Sequence, residues 1–166
     1  MNLTHLHLMV THLPIFGTVI GLIILLYGRY TGSYHTKMAA YALLLVAAIG
    51  CIIAFSTGEA AEETVENIQG ITKSTIEEHE EFAKITLASA IALGVGALAG
   101  IYLTWQKSKF TKAISVIVLI LSLICFGMTS WTGYLGGRIR HTEISNTAFH
   151  IGNVQRTGQL LEFERL

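Results

Sequence analysis

The chain has no aspartate at all, one proline and two cysteines in 166 residues. It is also poor in charge, with 13% charged residues against about 25% in an ordinary soluble domain. Without aspartate there is no Ser-His-Asp set, and neither a P-loop nor a dinucleotide fingerprint occurs. Hydrolysis and nucleotide-driven transport therefore have nothing to carry them. A net charge of zero with no basic tract argues against nucleic acid, which is held through phosphate contacts. No Cys-x-x-Cys-His occurs, which excludes a covalently attached c-type haem. The opening MNLTHLHLMV lacks a basic n-region, so no signal peptide is expected. Cys51 and Cys125 each sit near the middle of an apolar run and read as small packing residues, not as a disulfide scaffold.

What is present is apolar. Hydrophobic residues make up 52% of the chain, and four runs approach the roughly 20 residues that a bilayer-spanning helix needs. The spans are expected at Leu8–Tyr27, Met38–Thr57, Phe82–Leu103 and Ala113–Leu135. The short links GRYTGSYHTK and WQKSKFTK hold Arg29, Lys37, Lys107, Lys109 and Lys112 and no acid. The positive-inside rule puts both links in the cytoplasm, and so both termini outside. All eleven acids are glutamates, found in the second link with its helix ends or after residue 141. The fold expected is all-α: an integral membrane four-helix bundle with up-down connectivity in residues 1–141, followed by an outer-face tail, 142–166. The place expected for it is a bacterial inner membrane.

The Glu-rich link reads as helical extensions of spans two and three, turning near Gly70. Thr75 and Glu78 form a capping-box pattern opening the third helix.

Seven histidines are many for so apolar a chain. Under this topology His5, His7, His12, His79, His141 and His150 lie on the outer side and only His35 on the inner. His12 comes from the start of span one, His79 from just before span three and His141 from just beyond span four. Three helix ends thus deliver imidazole to one layer. Steps of three and four from His79 reach Ala83, Thr86, Ala90, Gly94 and Ala97, a stripe where helices approach or something flat is admitted. On span four Gly133, Gly137 and His141 share a spacing of four, with Gly136 alongside, whereas Gly17 and Gly21 lie roughly opposite His12 and read as packing.

Neutral imidazole is the commonest protein metal ligand and a usual axial ligand of haem iron. The leading expectation is a b-type cytochrome-like electron carrier with haem b near the outer face. His12 and His79 are its first axial pair, with His7 and His141 as a second or supporting pair. Arg138 and Arg140 suit haem propionates, or salt bridges to the outer glutamates. One alternative is a non-haem iron, zinc or copper site, for binding or sensing, built from the same histidines with Glu59 or Glu78. Another is a cofactor-free subunit of a larger membrane complex. Most of the glutamates read as a solvated face, and His5, His35 and His150 as interfacial or tail residues. The expected partners are the lipid bilayer and a periplasmic or membrane redox protein.

The segments HLMVTHLPI, STGEAAEE, EEHEEFAK and GYLGGRIRHTEI, in that order, resemble a bacterial family of small four-span membrane proteins, domain-of-unknown-function family 2231. The resemblance covers about residues 5 to 144. By position it implies that the family's histidines fall on His7, His12, His79 and His141. Leu13 departs from a phenylalanine frequent there. Some members look fused to c-type cytochrome domains, which implies redox company.

Overall fold

A computed structural model describes residues 3–65 and 73–140. The helices are α1 (Leu3–Val10), α2 (His12–Tyr30), α3 (Tyr34–Ser56), α4 (Gly58–Val65), α5 (Lys73–Trp105) and α6 (Thr111–Arg140). No strand occurs among the described residues. Four stretches are long and apolar enough to cross a membrane: Leu3–Tyr30, Tyr34–Ser56, Lys73–Trp105 and Thr111–Ile139.

Three of the expected spans fall inside these stretches and the second overruns its helix by one residue, Thr57; elsewhere the helices run past the expected limits. The largest departure is at the start. Helix begins at Leu3 rather than Leu8 and is interrupted at Thr11. Pro14 explains the interruption, because it has no N–H to give the Val10 carbonyl and its ring crowds that same group. Helix α5 also starts before Thr75, so Thr75 lies within the helix and does not cap it. Ser33 does cap a helix, accepting a hydrogen bond from the Thr36 N–H at 3.2 Å to open α3. The tail expected at 142–166 and the turn at Gly70 lie outside the described residues.

α2 packs on α3, α3 on α5, α5 on α6, and α6 back on α2, closing a four-helix ring. Close approach comes from glycines facing larger side chains. A Cβ at Gly21 would meet Leu44 at 2.6 Å, and one at Gly100 would meet the Tyr41 ring at 2.7 Å. The core that results holds Leu25, Tyr41, Leu44, Leu93 and Val118 with both cysteines, which are free thiols. Outside, Ile20, Ile23, Ile49, Val95, Ile120 and Leu123 stand exposed around the ring. So large an apolar exterior is a lipid-facing surface, not a water-facing one.

The short helices α1 and α4 sit together at one end of the bundle, both against α3. This histidine end also carries the start of α5. The opposite, basic end holds the two short links.

Candidate histidine site

His7 is half-buried on α1, where α1 leans on the end of α3. Its Nδ1 lies 2.8 Å from the Ala54 carbonyl oxygen and 3.3 Å from Thr57 Oγ1. A carbonyl can only accept, so Nδ1 carries the proton and donates, and Nε2 keeps its lone pair. Ala54 lies in the last turn of α3, where helix carbonyls lose their intrahelical partners. The Thr57 hydroxyl donates to the same oxygen at 3.1 Å. Thr4 donates to the Ala60 carbonyl at 3.2 Å and ties α1 to α4.

His79 repeats this chemistry on α5. It is half-buried, and its Nδ1 lies 3.1 Å from the Thr132 carbonyl oxygen on α6. Nδ1 therefore donates there too, and Nε2 is left as an acceptor or ligand. Thr132 is itself fixed: its hydroxyl pairs with that of Thr86 at 2.8 Å and reaches the Met128 carbonyl at 2.9 Å. Gly136 lets the imidazole in, for a Cβ there would sit 3.2 Å from His79 Cε1.

His12 is placed differently. It is exposed, its ring lies parallel to that of Phe16 at 6.4 Å, and its Nδ1 meets the Leu8 carbonyl of the preceding turn at 3.1 Å. Apart from that carbonyl of α1, which directly precedes it in the chain, none of these contacts leaves its own helix. His7 and His79 thus each bond to a carbonyl of another helix, whereas His12 is exposed. Gly17 and Gly21 face Ala47 and Leu44 of α3, as their place opposite His12 implied.

The stripe beyond His79 is filled by helix contacts. Thr86, Ala90, Gly94 and Ala97 are buried, and a Cβ at Gly94 would meet Ala48 at 3.2 Å. Room for a flat group is therefore not along this stripe. Gly133 faces Ile15, while Gly137 has open space.

Arg138 Nη1 lies 3.6 Å from Glu78 Oε2, both groups partly exposed. This is the salt-bridge alternative for that arginine. Arg140 ends α6, its side chain beyond the described set, and His141 and His150 lie outside the described residues. Glu59 is exposed, and Glu80 pairs with Lys84 at 2.9 Å, both consistent with a solvated acidic face. His5 is exposed; His35 is exposed at the basic end, edge-on to Tyr34. The sequence reading missed the part played by Ala54 and Thr132, whose contribution is a backbone carbonyl and leaves no mark on residue type.

A ring of four apolar helices with imidazoles gathered at one end defines a membrane protein of the four-span class. A family model described as "Predicted membrane protein (DUF2231)" matches residues 4–144, and the chain belongs to that family. No curated protein and no solved structure matches it.

Proposed function

We propose that this chain is a membrane-bound, b-type cytochrome-like electron-transfer protein, with His7 and His79 as axial ligands of a haem at the histidine end. The observation that carries the reading is the shared anchoring of these two imidazoles. Each gives Nδ1–H to a backbone carbonyl of a separate membrane-spanning helix, Ala54 of α3 for one and Thr132 of α6 for the other, and each keeps Nε2 for a metal. Such second contacts fix the tautomer, hold the ring plane and raise the basicity of a ligating nitrogen.

The donor set fits haem better than a bare ion. Two imidazoles complete the axial positions of haem iron. A zinc-type ion wants three or four protein ligands, and no group of three or more His, Cys, Asp or Glu able to hold one occurs among the described residues. When bound, haem supplies reversible one-electron chemistry. The chain's part is to hold the two nitrogens and keep the bundle beneath them dry. The ion pair of Arg138 to Glu78 is long and exposed, hence weak, and is readily exchanged for a propionate.

The basic end faces the cytoplasm of a bacterial inner membrane in this reading, so the histidine end meets a periplasmic or membrane redox partner. A visible spectrum of reduced, purified protein is the test. Sharp bands of low-spin haem b with two imidazole ligands are expected, from a pigment that acid acetone extracts. Metal without a Soret band would replace the haem by a non-haem ion. A protein made with ample haem that carries neither would be a cofactor-free membrane subunit.

A further inference from the structure

The histidine end carries imidazoles that the haem reading leaves unused. His5 and His12 are exposed, and between them Met9 is 66% exposed, so most of its thioether side chain is left out of the packing. Spacings of four and three residues place neighbouring Cβ atoms about 5–6 Å apart on one helix face. Thr11 interrupts the helix assignment but not the course of the chain. Its φ of −58° and ψ of −26° are helical, and its N–H meets the His7 carbonyl at 3.0 Å. The phase therefore carries across, and His5, Met9 and His12 leave the helix within an arc of about 60° at 3.6 residues per turn. Thr4 and His7 turn the other way, toward α4 and α3.

His12 is already set for coordination. Its Nδ1 donates to the Leu8 carbonyl at 3.1 Å, which leaves Nε2 with its lone pair, and Phe16 backs the ring, parallel at 6.4 Å. The depth suits an ion arriving from water. The 28 residues Leu3–Tyr30 run about 42 Å at 1.5 Å per residue, against a hydrocarbon core of about 30 Å. With Tyr30 at the far boundary, α1 stands in the headgroup layer. The ligand chemistry then chooses the ion. A thioether is a soft ligand that selects monovalent copper, which imidazole also accepts. Zinc takes thiolate, imidazole or carboxylate instead.

We propose that His5, Met9 and His12 form a binding site for a monovalent copper ion on the exposed face of the first helix, at the histidine end. Met9 stands between the two histidines, and each imidazole is within reach of an ion held over its sulfur. The site uses neither His7 nor His79, so it stands or falls apart from the haem reading.

Anaerobic titration of the full chain in detergent, free of any histidine tag, with Cu(I) against a chromophoric Cu(I) chelator tests it. One ion per chain is expected. Met9→Leu, and His5→Ala combined with His12→Ala, should each weaken binding by about tenfold or more, since even losing the partner behind a metal ligand does so. These positions are exposed, so the variants should fold as the wild type does. X-ray absorption at the copper edge should show sulfur and nitrogen neighbours in the wild type and no sulfur in Met9→Leu. Cys51→Ala combined with Cys125→Ala should keep the ion, because both thiols are buried in the core. No bound copper, full affinity in Met9→Leu, loss of the ion in the cysteine variant, or its displacement by equimolar zinc would each overturn the proposal.

Discussion

Gly136 lies against His79, with the Cβ it lacks placed 3.2 Å from the imidazole Cε1. This is tighter than normal carbon contact, and the same edge of the ring is tied to the Thr132 carbonyl one turn earlier on α6. Gly136→Ala should therefore displace the imidazole by a few tenths of an ångström. The same change favours the helix by about 1 kcal/mol, so the fold should survive it. The expected result is a folded protein whose bound-metal spectrum is altered. Gly137→Ala, next to open space, should raise stability by up to about 1 kcal/mol and leave the spectrum alone. Identical spectra for both variants would mean that Gly136 does not position His79.

The histidines themselves separate by place. His7→Ala and His79→Ala should each abolish or convert a low-spin spectrum, because each removes an anchored Nε2. His12→Ala should leave the bands in position, since its ring is exposed against Phe16 on its own helix. His35→Ala, at the basic end, is the control. Loss of the bands in His12→Ala with their survival in His7→Ala would restore the pair that the sequence alone favoured.

The reason the sequence favoured His12 is instructive. Run lengths and charge placement made the four helices legible, because a bilayer imposes a length and an apolar exterior that composition must record. The facing of a histidine is subtler. Five residues separate His7 from His12, about 140° around a helix of 3.6 residues per turn. Gly17 and Gly21 mark the face that meets α3, and His7 lies within about 40° of Gly21 when the turns are counted back. The sequence carries that phase, but Pro14 hides it, because the break at Thr11 makes helical phase across the junction unreliable. The carbonyls of Ala54 and Thr132 were not legible at all, because any residue supplies one.

Packing gives a prediction that needs no cofactor. A Cβ at position 100 would come within 2.7 Å of the Tyr41 ring, which is fully buried and bounded by α5 and the core. The ring has nowhere to go, so helix propensity cannot compensate. Gly100→Ala should destabilise the bundle by about 1–3 kcal/mol, the usual range for overpacking. Thermal unfolding in detergent measures it. A stability equal to or above wild type would show that the two helices can separate at that point without loss.

Orientation is the prediction on which the biology turns. The two short links carry Arg29, Lys37, Lys107, Lys109 and Lys112 without one acid, while the opposite end carries the glutamates. Basic residues in short links resist translocation, so the basic end should be cytoplasmic. Single cysteines at Lys73 and Lys109, both exposed positions at opposite ends of α5 and its following link, read this directly. The native Cys51 and Cys125 are buried in the core, so they should contribute little background. With a membrane-impermeant maleimide on intact cells stripped of any outer membrane, Lys73→Cys should label at once. Lys109→Cys should label only after lysis. The reverse pattern would put His7 and His79 on the cytoplasmic side, and with them any redox partner. Equal labelling of both from outside would mean that the bundle does not cross the membrane as a set of four spans.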